Sequence, residues 1–438
     1  MRGERSDYDN WEKLGCAGWN WDKVFPYFVK SETLHDAPSQ SHGTFGPLSV
    51  SPVRQPQAIG QHVIDAFEQI GVPINDDYCD GSQFGVYRVY ATQKDGRRCS
   101  VANAYLDPAR SRPNLTVITG AHVDSVLLEN ARATGVAYRQ NGVDVQVAAT
   151  REVIVSAGTI HSPAILTRSG IGPAAQLREH GIDAVVDLPG VGQNLREHNT
   201  ISVAQLVSIP TLSAQLGPLR MVRHLFNYLF RRKGLLTTPA VQVMAALKSD
   251  PDLADPDLIL SMLPVAVNFD NKGSAVVEHR ASFSFGFHVA RPQSRGEIRL
   301  RSANPDDKPI IDHRLLGDSG DVAKLVKGLK IVERLCSAPA LARIITGPLK
   351  PDPFPDNDAA LEDYVRASGG IGYHSVGTCR MGPDGDPLAV LDPDLKVRGV
   401  AGLRVVDASV MPEPVSANTN AATIMIAERA AAFIRSKP

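Results

Sequence analysis

The sequence predicts a mixed α/β (α+β) fold in which part of a parallel sheet is combined with a separate antiparallel sheet. Three observations support this prediction. Apolar runs followed by Gly or Pro turns and helical segments at 153–172 and 403–435 indicate strand–turn–helix units. Alternating valines after Asn141-Gly142 predict a β-hairpin. Period-two runs at 258–263 and 283–287, with no helical pattern between strands, favour antiparallel pairing.

Size and composition place the chain among ordinary globular proteins. Its 438 residues suggest about three units of ~150 residues. The net charge of −1 gives no electrostatic basis for nucleic-acid binding. Five cysteines, an odd number without a CxxC pair, favour a reducing compartment, and no apolar run approaches the ~20 residues of a membrane span. We therefore expect a cytoplasmic protein with no metal site.

The first hundred residues predict a packed aromatic cluster and a short helix. The cluster comprises Trp11, Trp19, Trp21 and the segment from Phe25 to Phe28, for which core packing is preferred over a cofactor box. A polar turn at 94–97 precedes a helical segment at 101–106.

From residue 114 the pattern changes to strands. Four strands are predicted, at 115–118, 126–128, 135–139 and 143–147. A further strand at 153–156 ends at Gly158. The following helix is expected to have Ser162 as its N-cap and Pro163 at its first position.

The segment from Leu219 to Lys233 has apolar residues at helical spacing and ends in Arg231-Arg232-Lys233. A core-packed helix whose C-terminal dipole favours the basic residues is the preferred interpretation. Contact with a membrane surface is the alternative. Ile298 and Leu300 predict a further strand.

The last strand–turn–helix unit begins with a buried strand at 403–406. Asn420 is the expected N-cap of a helix from Ala421 that is apolar on almost every side and carries Arg435 and Lys437 near its end. The N-terminus of such a helix offers free N–H groups and a positive dipole to an anionic group.

Three motifs resemble those of the glucose–methanol–choline (GMC) flavin oxidoreductases. They are Tyr373-His-Ser-Val-Gly-Thr-Cys-Arg-Met-Gly382, Asn418-Thr-Asn-Ala-Ala-Thr423 and Gly158-Thr-Ile-His-Ser-Pro-Ala-Ile-Leu-Thr-Arg-Ser-Gly-Ile-Gly172. They occur in the order found in the family, and the resemblance covers essentially the whole chain.

The resemblance implies a truncated FAD-binding Rossmann-like domain joined to a substrate domain built on the antiparallel sheet. The expected divisions are 1–200 (FAD-binding parts mainly 97–200), 201–370 for the substrate domain, and 371–438 for the return to the FAD-binding domain. The family's C-terminal region is expected over about 293–430. No G-x-G-x-x-G fingerprint follows a strand in this sequence, so we expect the chain as written to bind FAD weakly or not at all.

The resemblance also assigns the site residues. His374 matches the catalytic base and Asn418 its partner, which donates to the developing alkoxide. Positions matching FAD contacts are Val123, Gly158, Asp407, Ala408, Asn420 and Thr423. Gln242 occupies the position at which choline-oxidising relatives have a glutamate, and a quaternary ammonium would lack a counter-charge there. The segment Leu188-Pro-Gly-Val-Gly-Gln-Asn-Leu195 resembles the family's domain-crossing loop, and Glu197, just after it, stands where the family usually has Asp.

The predicted function is FAD-dependent oxidation of an uncharged primary alcohol to the aldehyde, with electrons passed to quinone or oxygen but not to NAD. Two alternatives stay open at this point: a hydroxynitrile lyase-like flavoprotein without redox turnover, and a catalytically dead fragment. Bleaching of the flavin by an alcohol would distinguish the first alternative from the oxidoreductase.

Overall fold

The computed structural model describes residues 1–36, 39–269 and 275–436. These residues form eleven α-helices, 23 strands and four short 3₁₀- or π-helical segments. The helices are α1 (Arg5–Lys13), α2 (Trp21–Ser31), α3 (Ile59–Gln69), α4 (Asp107–Ala109), α5 (Gly158–Arg168), α6 (Ala174–Glu179), α7 (Pro218–Arg231), α8 (Ser319–Ser337), α9 (Pro339–Ala342), α10 (Asp358–Ser368) and α11 (Thr419–Arg435). The strands are β1 (Glu32–Leu34), β2 (Leu48–Pro52), β3 (Gly85–Arg88), β4 (Tyr90–Ala91), β5 (Gln93–Lys94), β6 (Arg97–Arg98), β7 (Ala121–Glu129), β8 (Arg132–Gln140), β9 (Val143–Ala148), β10 (Val153–Val155), β11 (Ile171–Gly172), β12 (Val186–Asp187), β13 (Asn199–Val207), β14 (Val243–Leu247), β15 (Leu258–Leu263), β16 (Val267–Phe269), β17 (Ala275–Val277), β18 (Ser282–Val289), β19 (Glu297–Arg299), β20 (Ile310–Asp312), β21 (Ile345–Lys350), β22 (Gly370–Ile371) and β23 (Leu403–Val405).

One part of the molecule joins the two chain ends. Strands β10 and β23 pair in parallel, and β7, β8 and β9 form an antiparallel meander beside them. Helix α11 packs against α2, and the predicted aromatic cluster lies in the same core, with Trp11 and Trp19 fully buried. The predicted strand–turn–helix unit, the hairpin and the packing role of the cluster are confirmed.

The second part is a six-stranded antiparallel sheet. Its strands follow the order β14-β15-β18-β13-β21, and β22 pairs with β13 beside β21. The aromatic side chains of β18 (Phe283, Phe285, Phe287) are buried in one core with the apolar faces of α3 and α8. Packing is therefore the role of this phenylalanine stripe. Ile298 lies outside this sheet, in the two-stranded β19–β20 pair.

Two local predictions of the first half are wrong. The segment 115–118 is not a strand, because no described strand supplies it with ladder hydrogen bonds, and Leu115, Val117 and Ile118 are more than a third exposed. Helix α5 begins at Gly158, so Ser162 and Pro163 lie inside it. The Ser162 hydroxyl accepts a hydrogen bond from the Ala157 N–H, which explains why a capping residue occurs within the helix.

Two helix predictions also need correction. Helix α11 begins at Thr419 with Asn418 as its N-cap, two residues earlier than predicted. Lys437, predicted near its end, lies outside the described residues. Helix α7 forms over the predicted segment but is not packed in the core. Its large apolar side chains at Val222, Phe226 and Phe230 are 69%, 52% and 73% exposed. Among the described residues, no helix is long and apolar enough to cross a membrane.

Candidate active site

His374 is held beside His198 by backbone pairing. The chain from β22 runs antiparallel to the start of β13, and the Gly372 N–H donates to the His198 carbonyl at 2.9 Å. Further along, Arg196 and Val376 exchange two backbone hydrogen bonds. Tyr373 between them adopts the left-handed region at φ 61°, which turns the chain sharply before His374. The loop at 188–198 and the motif at 373–382 therefore meet at one point.

The hydrogen bonds of the histidine pair define their tautomers. His198 Nε2 lies 3.0 Å from the Ala290 carbonyl oxygen, which only accepts, so Nε2 carries the proton. His198 Nδ1 is then the acceptor for His374 Nδ1–H, at 2.9 Å. His374 Nε2 is consequently unprotonated, and the Asn418 amide Nδ2 donates to it at 2.8 Å. These hydrogen bonds orient the lone pair of His374 Nε2 toward the Asn418 amide.

Burial keeps both imidazoles neutral. It lowers the pKa of His374 to about 4. Burial, with a smaller contribution from His374, lowers the pKa of His198 to about 3. At neutral pH His374 is therefore in the form that can accept a proton.

The Glu197 side chain binds the backbone N–H groups of both histidines. Its carboxylate accepts from the His374 N–H at 2.7 Å and from the His198 N–H at 3.0 Å. The Ser375 hydroxyl donates to the other oxygen at 2.5 Å. The longer Glu side chain thus reaches the active-site segment from the domain-crossing loop, which gives the residue a clear structural role.

A third histidine completes the cluster. His288 lies on the face of β18 opposite to the phenylalanine stripe, and its ring stacks on His198 with centroids 4.3 Å apart. Ring nitrogens of His198, His288 and His374 all lie within 4.8 Å of one another, a set that could hold a metal ion. The Nδ1 atoms of His198 and His374 instead share a hydrogen bond. Sequence reasoning missed His198 and His288, although the alternation Phe-x-Phe-x-Phe-His places His288 on the face away from the core.

Asn418 links the histidines to a cavity of about 640 Å³. The cavity reaches the start of α11, where Asn418, Asn420 and Ala421 line it. Asn418 makes no side-chain capping bond, so the first N–H groups of α11 keep their capacity to donate. His374 is not itself part of this lining. Asn418 is thus the residue that connects the predicted base to the cavity.

The rest of the cavity wall is largely uncharged. Its described lining contains Arg98 but no Asp or Glu, and includes Thr237, Thr238 and Val241. Gln242 is only 2% exposed, and its side-chain oxygen Oε1 accepts a hydrogen bond from the Gln57 backbone N–H at 2.8 Å. Gln242 Nε2 has no hydrogen-bond partner among the described atoms. Its contact with substrate stays a prediction.

The residues near α11 and α5 fit the redox end of FAD. A Cβ built at Gly158, where φ is +81°, would meet no atom within 4 Å, so the backbone is open to a ligand there. The uncapped start of α11 at the cavity supplies N–H donors suited to an electron-rich ring. The contacts of Gly158 and Asn420 with FAD stay predictions.

Other residues predicted to contact FAD form hydrogen bonds within the protein. Asp407 accepts from Gly158 N–H, the Ser162 hydroxyl and Ser409 N–H, at 2.9, 2.5 and 2.8 Å, so it ties β23 to α5. Thr423 Oγ1 donates within α11. Ala408 begins the turn after Asp407, and the carbonyl of the half-buried Val123 lies 3.5 Å from Arg168 Nη2. Contacts of these four residues with FAD stay predictions.

Comparison with known families and sequences is consistent with this geometry. Two family models, both described as GMC oxidoreductase, match residues 1–200 and 292–427. An alcohol dehydrogenase [acceptor] of Pseudomonas putida is 39% identical over 99% of this chain and 79% of its own length. The mitochondrial choline dehydrogenase of Homo sapiens is 37% identical, over 100% of this chain and 73% of its own length.

Solved structures show the same fold. Pyridoxine 4-oxidase from Mesorbium loti superposes with a TM-score of 0.88 at 27% identity, over 100% of this chain and 82% of the other. An FAD-dependent oxidoreductase from Chaetomium thermophilum gives 0.89 at 25% identity, over 100% and 84%.

Proposed function

This chain belongs to the GMC family of FAD-dependent oxidoreductases, and on that premise we propose that it oxidises an uncharged primary alcohol to the aldehyde with an acceptor other than NAD. The observation that carries the proposal is the hydrogen-bonded series from the Ala290 carbonyl through His198 to His374 Nε2 and Asn418. It leaves one basic nitrogen beside one amide donor.

In this proposal His374 Nε2 takes the hydroxyl proton of the alcohol. The Asn418 amide, which binds His374 Nε2 at 2.8 Å in the free protein, transfers its hydrogen bond to the substrate oxygen and stabilises the developing negative charge. FAD, when bound, supplies the capacity to accept the hydride. Gly158, Asn420 and the first N–H groups of α11 are the groups we propose to hold its ring.

The cavity wall supports an uncharged substrate. A quaternary ammonium such as choline needs a carboxylate or an aromatic cage when it leaves water. The described lining offers no carboxylate, and its two aromatic residues, Tyr78 and Tyr90, stack on each other instead of enclosing a cation. Its Arg98 would repel the ammonium. The choline-oxidising relatives therefore share the reaction class with this chain, while we assign it a neutral alcohol.

The proposed substrate preference is tested by kcat/KM with an artificial dye as acceptor. The FAD-loaded protein should have a higher kcat/KM for neutral aliphatic or benzylic alcohols than for choline. Gln242→Glu should shift the ratio toward choline if Gln242 borders the substrate, and Gln57→Glu, which alters a neighbouring residue, is the matched control. Better turnover of choline than of a neutral alcohol of similar size would refute the assignment.

The proposal extends to location. All five cysteines are free in the structure, which is compatible with a reducing compartment such as the cytoplasm.

The proposed domain division at residues 200 and 370 follows the chain's passage into and out of the six-stranded sheet, from β13 to β22.

A further inference from the structure

Helix α7 presents an apolar stripe to solvent. Its exposed apolar residues are Val222, Leu225, Phe226, Leu229 and Phe230. At about 100° per residue, they span roughly 140° of the helix circumference. His224, on the opposite side, is buried against the protein. The helix is thus attached by one face and displays a hydrophobic face outward.

Exposed cations flank this stripe. At the same spacing, Arg223 lies next to the edge of the stripe formed by Phe230, and Arg231 and Lys233 lie at the C-terminal end of the helix. Arg220 lies in the first turn, away from the stripe, where its guanidinium donates to the Ala214 carbonyl. From His198 to Ser249 the sequence contains six Lys and Arg residues and no Asp or Glu. Among the described residues, no carboxylate forms an ion pair with any of these four cations. The surface around the apolar stripe is therefore positively charged.

We propose that α7 docks on an anionic lipid bilayer, lying in the plane of the interface with its apolar stripe among the acyl chains. Two features favour lipid over a protein partner. The apolar residues form one continuous stripe along the helix axis, and the cations lie where phosphate headgroups would meet them. Exposed hydrophobic surface of this kind is costly in water and is relieved by such contact.

Docking would bring the bilayer close to the cavity. Helix α7 packs against the turn Leu235–Thr237, and Leu236 and Thr237 line the cavity of the candidate active site. Leu236 is itself 40% exposed. If the proposed function holds, a lipophilic alcohol or a lipid-soluble acceptor would have a short path from the membrane. The docking itself does not depend on catalysis.

The test is cosedimentation of the purified 438-residue protein with vesicles. Vesicles containing phosphatidylglycerol and phosphatidylcholine are compared with pure phosphatidylcholine, at low and high salt. We expect binding to the anionic vesicles that weakens with salt. Phe226→Ser/Phe230→Ser and Arg223→Glu/Arg231→Glu should each lower the binding constant at least about tenfold. These positions are exposed, so the thermal unfolding midpoint should change little.

The matched control is Val143→Ser/Val147→Ser, which removes two exposed apolar side chains from β9 on another part of the surface. It should bind vesicles as the parent does. Absence of binding to anionic vesicles would overturn the proposal, as would equal loss in all three variants. A dimer that dissociates on Phe226→Ser/Phe230→Ser without vesicle binding would assign the stripe to a second copy and would also overturn it. None of these outcomes depends on turnover, so failure of the proposed reaction would be recognised separately.

Discussion

At the scale of single residues, His198 is a positioning residue in our proposal. It is fully buried, accepts a hydrogen bond from His374 Nδ1–H and thereby keeps His374 Nε2 unprotonated. His198→Phe keeps an aromatic ring, although a larger one, but removes the acceptor, so His374 would populate both neutral tautomers. We expect the rate of cofactor reduction by alcohol to fall by roughly tenfold or more, with KM nearly unchanged.

Two further measurements distinguish this positioning role from a loss of packing. The protein should stay folded at pH 7 with a loss of free energy of unfolding of no more than about 1–3 kcal/mol, because two buried hydrogen bonds are removed, and the pH profile should change. Because the pKa of His374 is lowered to about 4, the parent rate should fall only below about pH 5. A His198→Phe protein with the parent rate and the parent profile would contradict the role.

At the scale of elements, α8 packs on the face of β18 opposite to His288 and thereby supports the position of that histidine. A Cβ built at Gly328 would lie 2.6 Å from Cε2 of Phe287, whose strand neighbour His288 faces the active site. Gly328→Ala should therefore lower the free energy of unfolding by about 1–3 kcal/mol, although alanine favours helix. Urea unfolding measures this. Phe287→Leu/Gly328→Ala should recover part of the loss, and an unchanged or increased stability of Gly328→Ala would show that the contact is wrongly described.

The same elements show how far local sequence patterns reach. Period-two alternation was sufficient to predict β15 and β18, since it depends on burial along one strand. The segment after β22 pairs with the residues just before β13, and His198 and His374 are 176 residues apart in the sequence. Their contact could therefore not be predicted from spacing. Serine is common at helix N-caps, but Ser162 lies inside a helix that begins at Gly158. Its hydroxyl accepts a hydrogen bond from the Ala157 N–H, just before that helix. For α7, the helical spacing of apolar residues correctly predicted a helix, but it could not show that the apolar face is exposed to solvent.

At the scale of the whole molecule, a buried network joins the N-terminal helix to the active-site end of the chain. Asp7 of α1 accepts from the Ser416 N–H and hydroxyl at 2.8 and 2.6 Å and pairs with Arg291 at 2.6 Å. Glu4 accepts from the Gln83 N–H at 2.9 Å. Burial chiefly raises the pKa of Glu4 to about 7, and the neighbouring Asp7 contributes.

This shift predicts a pH dependence of stability. The folded state binds a proton at Glu4 up to about pH 7, whereas the unfolded chain releases it near pH 4.5. Stability contributed by Glu4 is therefore lost as the pH rises between these values. Glu4→Gln, which can still accept from Gln83, should gain about 1–3 kcal/mol relative to the parent on going from pH 5 to pH 8. The exposed Glu362→Gln is the control, and an equal pH trend in both variants would contradict the assignment.

Proton transfer from the alcohol to His374 Nε2 can be tested by the rate at which a neutral alcohol reduces the bound flavin on rapid anaerobic mixing. With FAD-loaded protein, His374→Ala should lower this rate by ~10²–10⁴-fold and leave folding nearly unchanged. Asn418→Ala should lower it by roughly 10–10³-fold, as expected for one lost donor to the alkoxide. Flavin reduction by His374→Ala at the parent rate would contradict this role of His374.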